Sequence, residues 1–85
     1  MAEIENVYLL IGGQYIAFAQ SADFEPANRQ LTVTDVTWVN GSGSASQYLQ
    51  QTCEVQGKVA EQDWNGNFQI TGIDGNYTTV WLAQV

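Results

Sequence analysis

The chain has 85 residues, nine acids against Arg29 and Lys58, no histidine and one cysteine. A formal charge of −7 leaves no basic stripe for a phosphate backbone and opposes an anionic membrane surface. The missing histidine excludes His-based triads and the usual zinc sites, and a lone thiol can form neither an internal disulfide nor a multi-thiolate centre. This length predicts a single domain, 1–85, in the range where a folded chain buries only about 60% of its unfolded surface. No apolar run approaches the ~20 residues needed to cross a bilayer. Met1–Glu5 lacks a secretion signal, so the protein is expected to be cytoplasmic as synthesised or part of a virion.

Val7–Ile11 and Gln14–Gln20 flank Gly12-Gly13, a short-hairpin signal. A two-residue loop places Leu10 opposite Tyr15, Leu9 opposite Ile16, Tyr8 opposite Ala17 and Val7 opposite Phe18. Ser21–Arg29 breaks the periodicity at Pro26 and reads as a crossing connection, with Ser21 or Asp23 able to cap a brief helical turn. Gln30–Val39 returns to strand character, with Leu31, Val33, Asp35, Thr37 and Val39 on one side; Asp35 marks a bend, bulge or edge. Asn40–Ser46 is Gly/Ser-rich and reads as a flexible surface loop; without a Gly-Lys-Ser/Thr ending it is no phosphate loop. Tyr48–Ala60 alternates cleanly, with Leu49, Gln51, Cys53, Val55, Gly57 and Val59 inward, and Gln51 and Gly57 signal irregularities. Glu61–Asn67 is expected to turn back at Asn65-Gly66.

The element that organises the rest is a final hairpin, Asn67–Ile73 with Asn76–Val85, turned at Asp74-Gly75. Its two-residue register sets Ile70 opposite Thr79, Gly72 opposite Tyr77 and Phe68 opposite Trp81, all on one face. The sum is an all-β fold, a small antiparallel sandwich or partly closed barrel of about six strands.

Chemistry is sparse. Glu61 and Asp63 read as a solvated acidic turn before a weak cation site, and nothing near Cys53 activates its thiol, so no enzyme, metal or cofactor is expected. The acids read first as solubilising charge. Asn40-Gly41-Ser42 and Asn76-Tyr77-Thr78 match the glycosylation triplet by chance. Trp38 and Trp81 are expected in the core, whereas Trp64, in a turn beside Asn65, is a candidate for contact with a partner or glycan. The interface candidates are Tyr8, Tyr15, Asn40, Ser42, Ser44, Trp64 and Asn65.

Three stretches taken together, Val7–Ala17, Leu31–Asp35 and Tyr48-Leu49 followed by Cys53–Val59, resemble the start of long-tailed phage tail-tube proteins over residues 7–60. The resemblance implies a β-sandwich that stacks in rings around a DNA channel, whose acidic lumen would suit the charge, and no catalytic residues. The chain departs from that family by lacking its helix after the Tyr48–Ala60 strand and by ending after one more hairpin. The leading expectation is a non-enzymatic module for protein–protein assembly, with itself or another subunit. The alternatives are a small carbohydrate-binding domain using Trp64, Asn65, Asn67 and Asp63, and an acidic inhibitor or nucleic-acid mimic that binds a basic protein.

Overall fold

A computed structural model describes residues 2–85. Gly12 and Gly13, with φ of 59° and 79°, close β1 (Ala2–Ile11) onto β2 (Gln14–Glu25) through the expected two-residue turn. Leu10 opposes Tyr15, but a bulge at Ile16 then moves the register by one, so Tyr8 faces Phe18 and Val7 faces Ala19. A bulge residue has no partner of its own. Ile16 and Ala17 are accordingly both buried, and Tyr8 and Phe18 come together on the outer face.

The stretch from Ser21 to Glu25 is strand, not a crossing connection: it continues β2 and pairs with β1 back to Ala2. Neither Ser21 nor Asp23 caps a helix. The pattern was hidden because Glu3 and Asp23 lie outside while Ile4 and Ala22 fill the core. The turn falls at Pro26–Arg29, where proline's missing amide costs no ladder bond.

Gln30–Val39 divides at Asp35, whose φ is 54°. β3 (Gln30–Val33) pairs with the far half of β2, and β4 (Thr37–Trp38) pairs with its near half. The break also reverses parity, so Val36 and Trp38 are buried while Thr37 and Val39 face out. The Gly/Ser-rich stretch is not an open loop throughout. Ser42–Tyr48 winds into 3₁₀ turns that seat Ala45 in the core and stack Tyr48 on Trp38 at 5.9 Å.

The alternating strand is shorter than its pattern: β5 is Thr52–Val59, while Leu49 and Gln51 are exposed outside it. Its turn is Ala60-Glu61, with φ of 49° and 68°, not Asn65-Gly66. β6 (Gln62–Ile73) therefore begins early and pairs along the whole of β5, setting Trp64 opposite Gly57 and Asn65 opposite Gln56.

β6 does fold back on β7 (Val80–Gln84), but through a six-residue loop, 74–79, rather than a two-residue turn. The Asp74 carboxylate accepts from the Thr78 and Thr79 amides at 2.8 and 3.0 Å, so it organises a wide loop instead of a tight one. A bulge at Thr71 then shifts the register by one. Ile70 faces Leu82 and Gly72 faces Trp81, so Gly72 and Tyr77 are not opposed. Phe68, Ile70, Val80 and Leu82 point inward together, and Trp81 lies outside over Gly72 at 42% exposure, not in the core.

The strands run β1-β5-β6-β7-β3-β2, and β2 returns to β1: a closed six-stranded antiparallel barrel, with β4 as an extra strand on β2. Its interior is packed with side chains including Ile4, Leu9, Leu31, Val55, Phe68, Ile70 and Leu82. No helix among the described residues is long and apolar enough to cross a membrane.

Three substitutions test this geometry. A Cβ at Gly57 would collide with Ile4 Cγ2 and lie 3.0 Å from the Glu5 carbonyl, whereas nothing lies within 4 Å of one at Gly75. Gly57→Ala should lose about 1–3 kcal/mol in denaturant unfolding, and Gly75→Ala should be close to neutral. Glu61→Gly, which relieves a left-handed non-glycine residue in the β5–β6 turn, should gain roughly 0.5–1 kcal/mol by the same measurement.

Candidate functional site

The bulges decide what the barrel shows to solvent. Cross-strand pairing aligns Thr37, Phe18, Tyr8, Gln56 and Asn65 in one outward row across β4, β2, β1, β5 and β6. Tyr8 and Phe18 are 43% and 44% exposed, and Tyr15 beside them is 55% exposed. Tyr8 meets Tyr15 edge-on at 5.5 Å and Phe18 at 6.5 Å. Val39, also on the outside, is tied to β2 through its amide bond to the Ile16 carbonyl.

Two depressions meet at Asn6 and Tyr8. One, about 350 Å³, lies toward β5 and β6 and is lined by Gln56, Gly57, Trp64 and Asn65, with the Lys58–Asp63 pair alongside. The other, about 470 Å³, lies toward β2 and includes Phe18, Gln20, Thr34 and Asp35. Asn6 has φ of 53°, and the β1–β5 register shifts between Glu5 and Tyr8, beside Gly57. The first depression thus follows from a backbone irregularity for which the sequence signal was that glycine.

The candidates separate. Tyr8, Trp64 and Asn65 share the first depression, with Tyr15 adjacent to Tyr8. Trp64 is not in a turn: it is half-buried on β6, packed at 5.7 Å from Phe24 and 5.8 Å from Phe68. Trp64 packs at the core edge and also lines the first depression. Asn40 is exposed just before the 3₁₀ turns and Ser42 at their start, neither lining either of these depressions, and Ser44 donates its hydroxyl to the Gly41 carbonyl at 2.7 Å. Phe18, Gln56 and Asn6 were not singled out from sequence, because an undetected bulge and a positive φ place them.

Electrostatically the site is quiet. Lys58 pairs with Asp63 at 2.5 Å, and the lysine's hydrogen bond holds that exposed carboxyl below its ordinary range. Asp74 is likewise held low, first by the Thr79 amide and then by Thr78. Glu3 opposes Asp23 directly on the outer wall, with Glu5 on β1 and Glu25 on β2 in the same pair of strands; Asp35, Glu54, Glu61, Asp63 and Asp74 belong to other segments. No group of three or more His, Cys, Asp and Glu among the described residues stands ready to hold a metal ion. No family model, curated protein or solved structure matches the chain.

Cys53 is buried in the barrel, and desolvation pushes its thiol from 9.0 up to about 12. Native protein should therefore react with a thiol reagent only on unfolding, at a rate that rises with denaturant. Below pH 9 both states hold the neutral thiol. Between 9 and about 12 the unfolded chain ionises first, so this group lowers stability as pH rises through that window. Denaturant melts across alkaline pH should show the loss in the native chain and less of it in Cys53→Ala.

Proposed function

We propose that the chain is a non-enzymatic assembly module that docks on protein, a second copy or another subunit, through the outer surface of β1, β2 and β4. The observation that carries this reading is the adjacency of Tyr8, Tyr15 and Phe18, three half-exposed rings in ring-to-ring contact on one wall. Exposed aromatic clusters rimmed by polar side chains are the usual energetic centre of protein interfaces. At about half exposure the three rings offer roughly 300 Å². A stable interface buries about 800 Å² per partner. The patch therefore suits individually weak contacts repeated within an assembly better than a tight isolated dimer.

Most strand edges are already paired within the chain, so shielding of edges contributes little, and side chains carry the contact. The resemblance of residues 7–60 to tail-tube proteins supplies a setting, a phage-like virion in which rings of subunits repeat such contacts. An acidic mimic receives less support, because Glu3, Glu5, Asp23 and Glu25 lie on the β1–β2 pair while the other five acids lie on different segments.

Light scattering over a concentration series tests the reading. The native chain should rise above its 9.4 kDa monomer mass as concentration increases, and Tyr15→Ser with Phe18→Ser should hold it at the monomer. A native chain that remains monomeric throughout would remove self-assembly as its role.

A further inference from the structure

We propose that the depression between β1, β5 and β6 is a binding site for a neutral saccharide, with the Tyr8 ring as its stacking surface and Asn6, Gln56 and Asn65 as its hydrogen-bonding groups. The inference goes beyond the assembly reading and uses the opposite side of Tyr8 from Tyr15 and Phe18.

Its geometry is built into the strands. Gly57 brings its bare backbone against β1, where an added Cβ would meet Ile4 and the Glu5 carbonyl, and Asn6 turns out of the ladder at φ 53°. Those two irregularities shape a depression of about 350 Å³. Small-ligand sites span about 300–1,000 Å³. Tyr8 opposes Gln56 across β1 and β5, and Gln56 opposes Asn65 across β5 and β6, so one ring and two amides stand in line on rigid strands.

The chemistry narrows the ligand. Each side-chain amide offers donors and an acceptor, the combination that vicinal hydroxyl groups require; Gln56 directs one N–H to the Glu54 carboxylate at 3.3 Å and keeps its second N–H and its oxygen for a ligand. An apolar ligand would cover these amides without satisfying them, at a cost. Charge selects further. The Lys58–Asp63 pair leaves the wall of the depression neutral, and the chain's −7 disfavours an anionic ligand. An uncharged sugar meets all of these conditions: its C–H face covers the exposed part of the Tyr8 ring and its hydroxyls reach the amides. Trp64, half-buried against Phe24 and Phe68, also lines the depression, so two aromatic side chains border it.

The test is amide NMR of the full chain titrated with neutral gluco-, xylo- and chito-oligosaccharides. Saturable shifts should centre on Asn6, Tyr8, Gln56, Gly57 and Asn65. Tyr8→Ala and the pair Gln56→Ala with Asn65→Ala should each weaken binding by about tenfold or more. The same spectra report whether each variant is folded, and the surface pair keeps the β5–β6 backbone intact. Tyr15→Ser with Phe18→Ser should abolish self-association and leave saccharide affinity unchanged, which separates this proposal from the assembly reading. Absence of saturable shifts at millimolar sugar, shifts centred on Trp81, or a response only to charged saccharides or to peptides would overturn it.

Discussion

Closure depends on β1. It is the strand that holds β2 along one edge and β5 along the other, and so joins the Ala2–Val33 meander to the Thr52–Gln84 meander, while β3–β7 completes the ring. The β1–β5 contact is far apart in sequence, so its ordering entropy is offset by what it encloses: Ile4, Val7 and Leu9 on β1 and Val55 on β5, all without solvent exposure. Gly57 is part of the same constraint. Without a side chain there, the β1 backbone approaches closely enough to pair on both sides of the irregularity at Asn6.

The interior is closed off at several places by aromatic and small side chains. Trp38 stacks on Tyr48 and donates its indole N–H to the Tyr77 carbonyl at 2.7 Å, tying β4, the 3₁₀ turns and the 74–79 loop together. Phe24, Trp64 and Phe68 form a second aromatic group elsewhere in the barrel. The polar surroundings of Tyr8 are a property of the wall, and Trp64 of the second group borders the same depression from the core edge.

The all-β class and antiparallel pairing were legible because valine, isoleucine, threonine and the aromatics alternate over most of the chain. Gly12-Gly13 gave its turn correctly, since both residues reach positive φ without strain. Asp74-Gly75 did not, because Asp74 spends its carboxylate on the Thr78 and Thr79 amides and opens the loop. Ala60-Glu61 carries no compositional sign of a turn at all, yet both residues adopt positive φ, so the tertiary pairing of β5 with β6 outweighs local preference there. Bulges at Ile16 and Thr71 were equally silent, and each one moves outward or inward every residue beyond it. That is why Tyr8 and Asn65 were found as candidates while Phe18, Gln56 and Asn6 were not.

The strand break at Asp35 has a consequence of its own. β2 lends one edge first to β3 and then to β4, so the same strand supports both the ring and the appendage outside it. Variation in the appendage can alter the outer rim near Phe18 while the ring's hydrogen-bonded circuit stays whole. Evolution, or an engineer, thus has a place to diversify what the molecule touches without renegotiating how it folds.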